Sequence, residues 1–113
     1  MFYPIQKGAI AVLNSTNSWF NEINKIYNER RILVWKLADS LNCTYNKLSS
    51  GLFVWAKIQE SIKSKEFTDA LLYNHNIFIA PGDIFGSNGE GYVRFSLCAP
   101  KELLTKAINR INE

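Results

Sequence analysis

Between Ser18 and Leu41 the apolar residues Trp19, Ile23, Ile26, Leu33, Leu37 and Leu41 recur at spacings of three, four or seven. A strand cannot use that period, whereas an α-helix presents it as one stripe. Phe20, Tyr27, Val34 and Ala38 widen the stripe. The spacing predicts a helix over about 18–41, long against the ~10–14 residues usual in globular proteins. Such a helix in a chain of 113 residues connects or braces something. Arg30 falls where the stripe calls for an apolar residue, and the plain expectation is a stem laid along the apolar surface with its head in water.

The rest of the chain has to supply what this helix packs against. A length of 113 residues fits one domain, and 47% apolar with 20% charged residues is the balance of a globular chain. The net charge is +3, but the basic residues are scattered and only Arg30 and Arg31 adjoin. A nucleic-acid binder gathers its cations along one stripe, so no nucleic-acid partner is expected. Cys43 and Cys98 lie far apart without a CxxC, and His75 is the one histidine. This excludes a zinc site or a disulfide framework. Two buried thiols in a reducing cytoplasm are expected. No apolar run reaches the ~18 residues of a membrane span, so no membrane partner is expected. MFYPIQKGAIAVL also has no charged region before its apolar part, as a signal peptide would.

A proline opens PIQKGAIAVL, which reads as a short helix to Leu13. NSTNS (14–18) is a turn and cap cluster. Asn42–Ser50 is polar and turn-like. LFVWAKI (52–58) reads as a strand with Leu52, Val54, Ala56 and Ile58 on one face and Phe53, Trp55 and Lys57 on the other. A helix with Ser64 as N-cap follows, with Phe67, Ala70 and Leu71 inward. IFIA (77–80) reads as a short buried strand. GYVRFSLC (91–98) alternates, placing Val93, Phe95 and Leu97 opposite Tyr92, Arg94, Ser96 and Cys98. Pro100 opens a last helix whose inward face is Leu103, Leu104, Ala107, Ile108 and Ile111. This order predicts an α/β fold of the α+β two-layer sandwich kind. Helices cover one face of a small three- to four-stranded sheet, and a long connecting helix precedes it.

The loop Gly86-Ser-Asn-Gly89-Glu-Gly91 resembles a phosphate cradle only superficially. Such loops need GxGxxG between a strand and a helix, and this one runs into a strand. His75 stands near a helix end, where it suits the negative pole of the helix dipole. No GxSxG elbow and no HExxH occurs. Lys7 and Lys57 are candidates for a Schiff-base lysine by residue type alone. Arg94 is the residue with chemistry to offer. A strand-mounted guanidinium presents a planar pair of donors that matches a carboxylate, and a glycine-rich loop lets a ligand approach closely.

The run APGDIFGSNGEGYVRFSL resembles the C-terminal segment of fold-type-I, class I/II aminotransferases, which depend on pyridoxal phosphate. The matching positions are Pro81, Gly82, Phe85, Gly86, Gly91, Tyr92, Arg94 and Ser96. FYPIQKGAIAVL is similar to the segment after that family's cofactor-lysine region, and YNERRILVWKLADSL to the helix linking its two domains. GLFVWAKI is similar to the first strand of the small domain, and PKELLTKAINRI to the closing helix. The resemblance covers nearly the whole chain.

It implies that residues 1–113 are the C-terminal small domain of an aminotransferase, with the connecting helix at about 18–41. The parent would transfer an amino group between an amino acid and a 2-oxo acid. Arg94 would grip the substrate α-carboxylate, Phe85 would lie on the loop beside the pocket, and Tyr3, with Phe2, would run near the neighbouring subunit's site. The parent is expected to be a cytoplasmic homodimer that uses pyridoxal phosphate. Ile32 stands where the family often has Asp after the Arg-Arg pair. The large cofactor domain and an SK-x5-GxRxG stretch are absent, so no catalytic lysine is assigned. This chain alone is expected to bind no cofactor and to be inactive. Decarboxylation and β-elimination by the same scaffold are alternatives. A non-catalytic α/β module binding a partner protein or a small anion is the rival from another class.

Overall fold

Alternation along two strands organises the molecule. In the computed structural model, which describes all 113 residues, Phe53–Lys57 (β2) pairs antiparallel with Tyr92–Ser96 (β4). Val54 lies opposite Phe95 and Ala56 opposite Val93, and all four are buried. Thr44–Tyr45 (β1) flanks β2 and Ala80–Pro81 (β3) flanks β4, both antiparallel. The four-stranded sheet therefore runs β1-β2-β4-β3, with the arginine-bearing strand in its interior.

Helices Asn17–Ser40 (α2), Ser64–His75 (α3) and Lys101–Asn112 (α4) cover one face. Val34, Leu37 and Ala38 of α2, Leu71 of α3 and Leu104 of α4 meet Val54, Ala56, Val93, Phe95 and Leu97 of the sheet in one core. The expected two-layer α/β sandwich is therefore the observed fold. Helix Tyr3–Leu13 (α1) stands apart and buries none of its residues.

Two helices stop by the same device. Asn42 and Asn76 take left-handed conformations after α2 and α3, one of the few residue types that do so at low cost. The next N–H bonds back into the helix, Cys43 to the Ala38 carbonyl at 2.9 Å and Ile77 to that of Leu71 at 3.2 Å. Each turn drops an apolar residue, Cys43 or Ile77, into the core.

Several expectations are corrected. The stripe on α2 is buried only in its C-terminal half, and Trp19 and Ile26 are exposed because that end extends past the sheet. Arg30 does not send its head into water: it donates to the Leu97 carbonyl at 3.0 Å and reaches that of Cys98 at 3.5 Å. Beside it Glu29 pairs with Lys101 at 2.6 Å, so consecutive residues of α2 latch the connection from β4 to α4. Ser64 is the first residue of α3 and not its cap. Its hydroxyl accepts the Gly91 and Tyr92 N–H groups, and its own N–H donates to Glu90 Oε1 at 2.7 Å.

Ala70 is exposed, and Thr68 is buried with its hydroxyl bonded to the Lys65 carbonyl. Leu52 and Leu103 are exposed at element ends, and Cys98 is an exposed thiol beyond β4. The IFIA strand shrinks to Ala80–Pro81. Ile77 and Ile79 are buried by packing without ladder bonds, while Phe78 is 78% exposed. The polar stretch after α2 contains β1.

Candidate functional site

The uncovered face of the sheet carries Phe53, Trp55 and Lys57 from β2 and Tyr92 and Arg94 from β4, the alternates of the core residues. Arg94 lies opposite Trp55 on one side and Ala80 on the other. Its Cζ is 4.1 Å from the Phe53 ring centroid and 4.2 Å from that of Phe85. Trp55 stacks on Tyr92 at 5.4 Å and meets Phe85 edge-on at 6.1 Å. Two aromatic rings thus flank the guanidinium, and Trp55 and Tyr92 extend the aromatic surface beside them.

The Arg94 side chain makes no hydrogen bond or ion pair within this chain. The two ion pairs present join Lys57 to Glu60 and Lys101 to Glu29. All of its N–H donors remain available for an anion in the plane of the group.

Phe85 reaches this position through the loop. Gly82–Phe85 and Ser87–Gly89 form consecutive 3₁₀ turns that press against each other. A Cβ on Gly82 would lie 2.2 Å from the Gly89 carbonyl oxygen, and one on Gly89 would lie 1.9 Å from that of Gly82. Only glycine fits at either place. Gly86, at φ 125°, joins the turns in a conformation glycine adopts freely. Gly82 and Gly89 are therefore required by backbone contact within the loop.

The far end of the loop is tied by Glu90. Its carboxylate accepts the Ser64 N–H at the start of α3 and the Gly91 N–H. These bonds, that of Ser64 foremost, hold its pKa below the ordinary 4.5 against a smaller opposing effect of desolvation.

The predicted residues are thus partly assembled. Arg94 and Phe85 are in contact. Tyr3 is exposed in α1, its ring engaged by Lys7 at 5.4 Å, and no stacking or hydrogen bond joins it to the other two. Lys57 shares the open face but is paired with Glu60 at 3.1 Å, a bond that raises its pKa. Phe53, Trp55 and Tyr92 line the site without having been singled out. The parity of Tyr92 with Arg94 along one strand was visible, but the register that brings Phe53 and Trp55 to the same face was not.

Other places offer less chemistry. An apolar cleft of about 330 Å³ opens on the covered side, lined in part by Leu37, Ile77, Phe95 and Leu104. Its charged residues are Lys106 and Arg110, its lining includes no acid, and its one hydroxyl, that of Ser96, accepts the Cys98 N–H. His75 Nδ1 is 2.9 Å from the Arg110 carbonyl, and Arg110 donates to that of Asn76. This fixes the ends of α3 and α4 to each other. No cluster of three His, Cys, Asp or Glu side chains could hold a metal ion, and no helix is long and apolar enough to cross a membrane.

Residues 3–111 match the family model described as aminotransferase class I and II. The LL-diaminopimelate aminotransferase of Maridesulfovibrio salexigens is 34% identical over 113 residues, all of this chain and 29% of that relative. The aspartate aminotransferase of Pyrococcus abyssi is 33% identical over 96% of the chain and 29% of the relative. The crystal structure of an aromatic aminotransferase from Pyrococcus horikoshii superposes with a TM-score of 0.80 at 33% identity, covering 95% of this chain and 29% of that one. The chain therefore spans less than a third of the length of the relatives it matches.

Proposed function

Because the chain belongs to the class I and II aminotransferases, we propose that it is the small-domain part of a pyridoxal-phosphate-dependent transaminase, with Arg94 as the clamp for the substrate α-carboxylate. One observation carries this reading: a guanidinium in mid-sheet, flanked by the rings of Phe53 and Phe85 and left without an anion of its own. The names of the relatives support it. Diaminopimelate, aspartate and aromatic amino acids differ in their side chains and share an α-amino carboxylate. A segment similar in all three enzymes suits recognition of the shared part.

In such an enzyme the cofactor supplies the electron sink, and the protein orients the substrate. The residues of this chain do not fit the cofactor itself. Around Arg94 the lining is aromatic, Lys57 is tied to Glu60, and no second cation stands beside Arg94 for a phosphate. We assign cofactor binding and the reactive lysine to the additional length that the relatives have. The role of Arg94 is to bind the carboxylate in two parallel hydrogen bonds and so hold the amino-bearing carbon in one orientation. Phe85 covers the guanidinium from the loop. Tyr3 belongs to a second, more distant part of the site, completed by another subunit.

The test is Arg94→Ala in the holoenzyme that carries this chain. Loss of the charge should lower kcat/KM by about 100-fold or more. Unchanged kinetics would remove Arg94 from the site. The 113-residue chain alone should show no amino transfer and retain no cofactor absorbance, and either one would overturn the division of labour.

A further inference from the structure

The open face holds a second residue with a definite task. We infer that Phe53 is a positioning residue for Arg94, fixing the guanidinium so that its donors face the ligand; the inference rests on the carboxylate-clamp reading above. Arginine is long and rotamer-rich, and a ligand that must freeze it binds more weakly. Hydrogen bonds from the protein could hold it, but they would use the donors a carboxylate needs. An aromatic face attracts the guanidinium and uses none of them.

The structure separates Phe53 from the other rings. Trp55 and Tyr92 stack on each other, and Phe85 also meets the edge of Trp55. Phe53 pairs with no ring and gives its face to Arg94 at 4.1 Å. It is also the contact on the firmer mount. Phe85 rides on a turn followed by Gly86, whereas Phe53 belongs to β2, opposite Ser96 and beside the strand of Arg94. At 43% exposure its ring contributes little to the core, so its loss need not unfold the sheet.

The experiment compares Phe53→Leu, Phe53→Tyr and Arg94→Lys in the holoenzyme. The readouts are KM and kcat for an α-amino acid, and the inhibition constant of propionate, which offers a carboxylate without an amino group. Phe53→Leu should raise KM and the propionate constant together by about fivefold, the scale of one cation–π contact, with kcat within about twofold. Phe53→Tyr keeps the face and should restore both. Arg94→Lys, which loses the planar fork, should raise them by about fiftyfold. Phe53→Met repeats the loss of the ring if the leucine variant does not fold.

Full affinity in Phe53→Leu beside a strong Arg94→Lys defect overturns the positioning role and leaves the clamp standing. So does a Phe53→Tyr variant as impaired as Phe53→Leu. An Arg94→Lys enzyme with normal constants removes the clamp, and the positioning role with it.

Discussion

The two faces of the sheet are made by the same strands at alternate positions, and both carry large apolar side chains. On one, Val54, Ala56, Val93 and Phe95 vanish beneath α2, α3 and α4. On the other, Phe53 and Trp55 remain 43% and 41% exposed around a cation with no partner. Leaving a large apolar side chain in water forgoes about 1.5–3 kcal/mol. The covered face is complete within the chain. The open face gains its full value only when something else arrives, as aromatic surface beside unused donors indicates.

Breaking the covered face should cost most. Phe95→Ala should destabilise the fold by about 4 kcal/mol through lost burial and a cavity, whereas Phe53→Ala should cost about 1 kcal/mol. Urea unfolding of the two variants measures the difference, and equal losses would erase the distinction between the faces. Gly89→Ala comes next, at about 3 kcal/mol, because its Cβ has nowhere to go. It should also pull Phe85 from Arg94, seen as loss of ring-current shifts on the arginine resonances.

A smaller effect falls on the tie between loop and α3. The folded pKa of Glu90 lies below 4.5, so its stabilisation is complete above that pH and fades as pH falls through the folded value. Glu90→Gln should therefore be less stable than the parent chain near neutrality and converge with it in acid. Parallel stability curves from pH 7 to pH 2 would refute the tie. Gly8→Ala, in α1 where an added Cβ would meet nothing within 4 Å, should stabilise by about 0.5–1 kcal/mol. Last, the thiols sort by environment. Burial pushes Cys43 up to about 11, while Cys98 is exposed. A thiol reagent at pH 8 should modify Cys98 alone until the chain is unfolded.

Local periodicity made α2, β2, β4 and the parity of Arg94 legible in the sequence, because each is set by residues near one another in the chain. What was hidden depends on distant partners. β1 is two residues long and exists through its pairing with Lys57 and Ala56. The reach of Arg30 to the Leu97 carbonyl spans 67 positions, and the apolar stripe around it carries no sign of that carbonyl. Phe53 could be placed on the face of Arg94 only by knowing that β2 and β4 are neighbours, a fact of topology. The glycines at 82 and 89 advertised a loop, but their mutual contact required its folded path.

The latch made by Glu29 and Arg30 turns the remaining length of α2 into a lever. From Arg30 back to Asn17 the helix runs roughly 20 Å at its regular rise, and its buried residues all lie on the sheet side of that point. A swing of about 5° at the latch carries the junction with α1 by about 2 Å over that distance. Leu97, the residue after β4, is bonded at the latch itself through its carbonyl. The exposed apolar surface of α1 therefore lies beyond the free end of a long arm whose fixed point is bonded to the residue that follows the Arg94 strand.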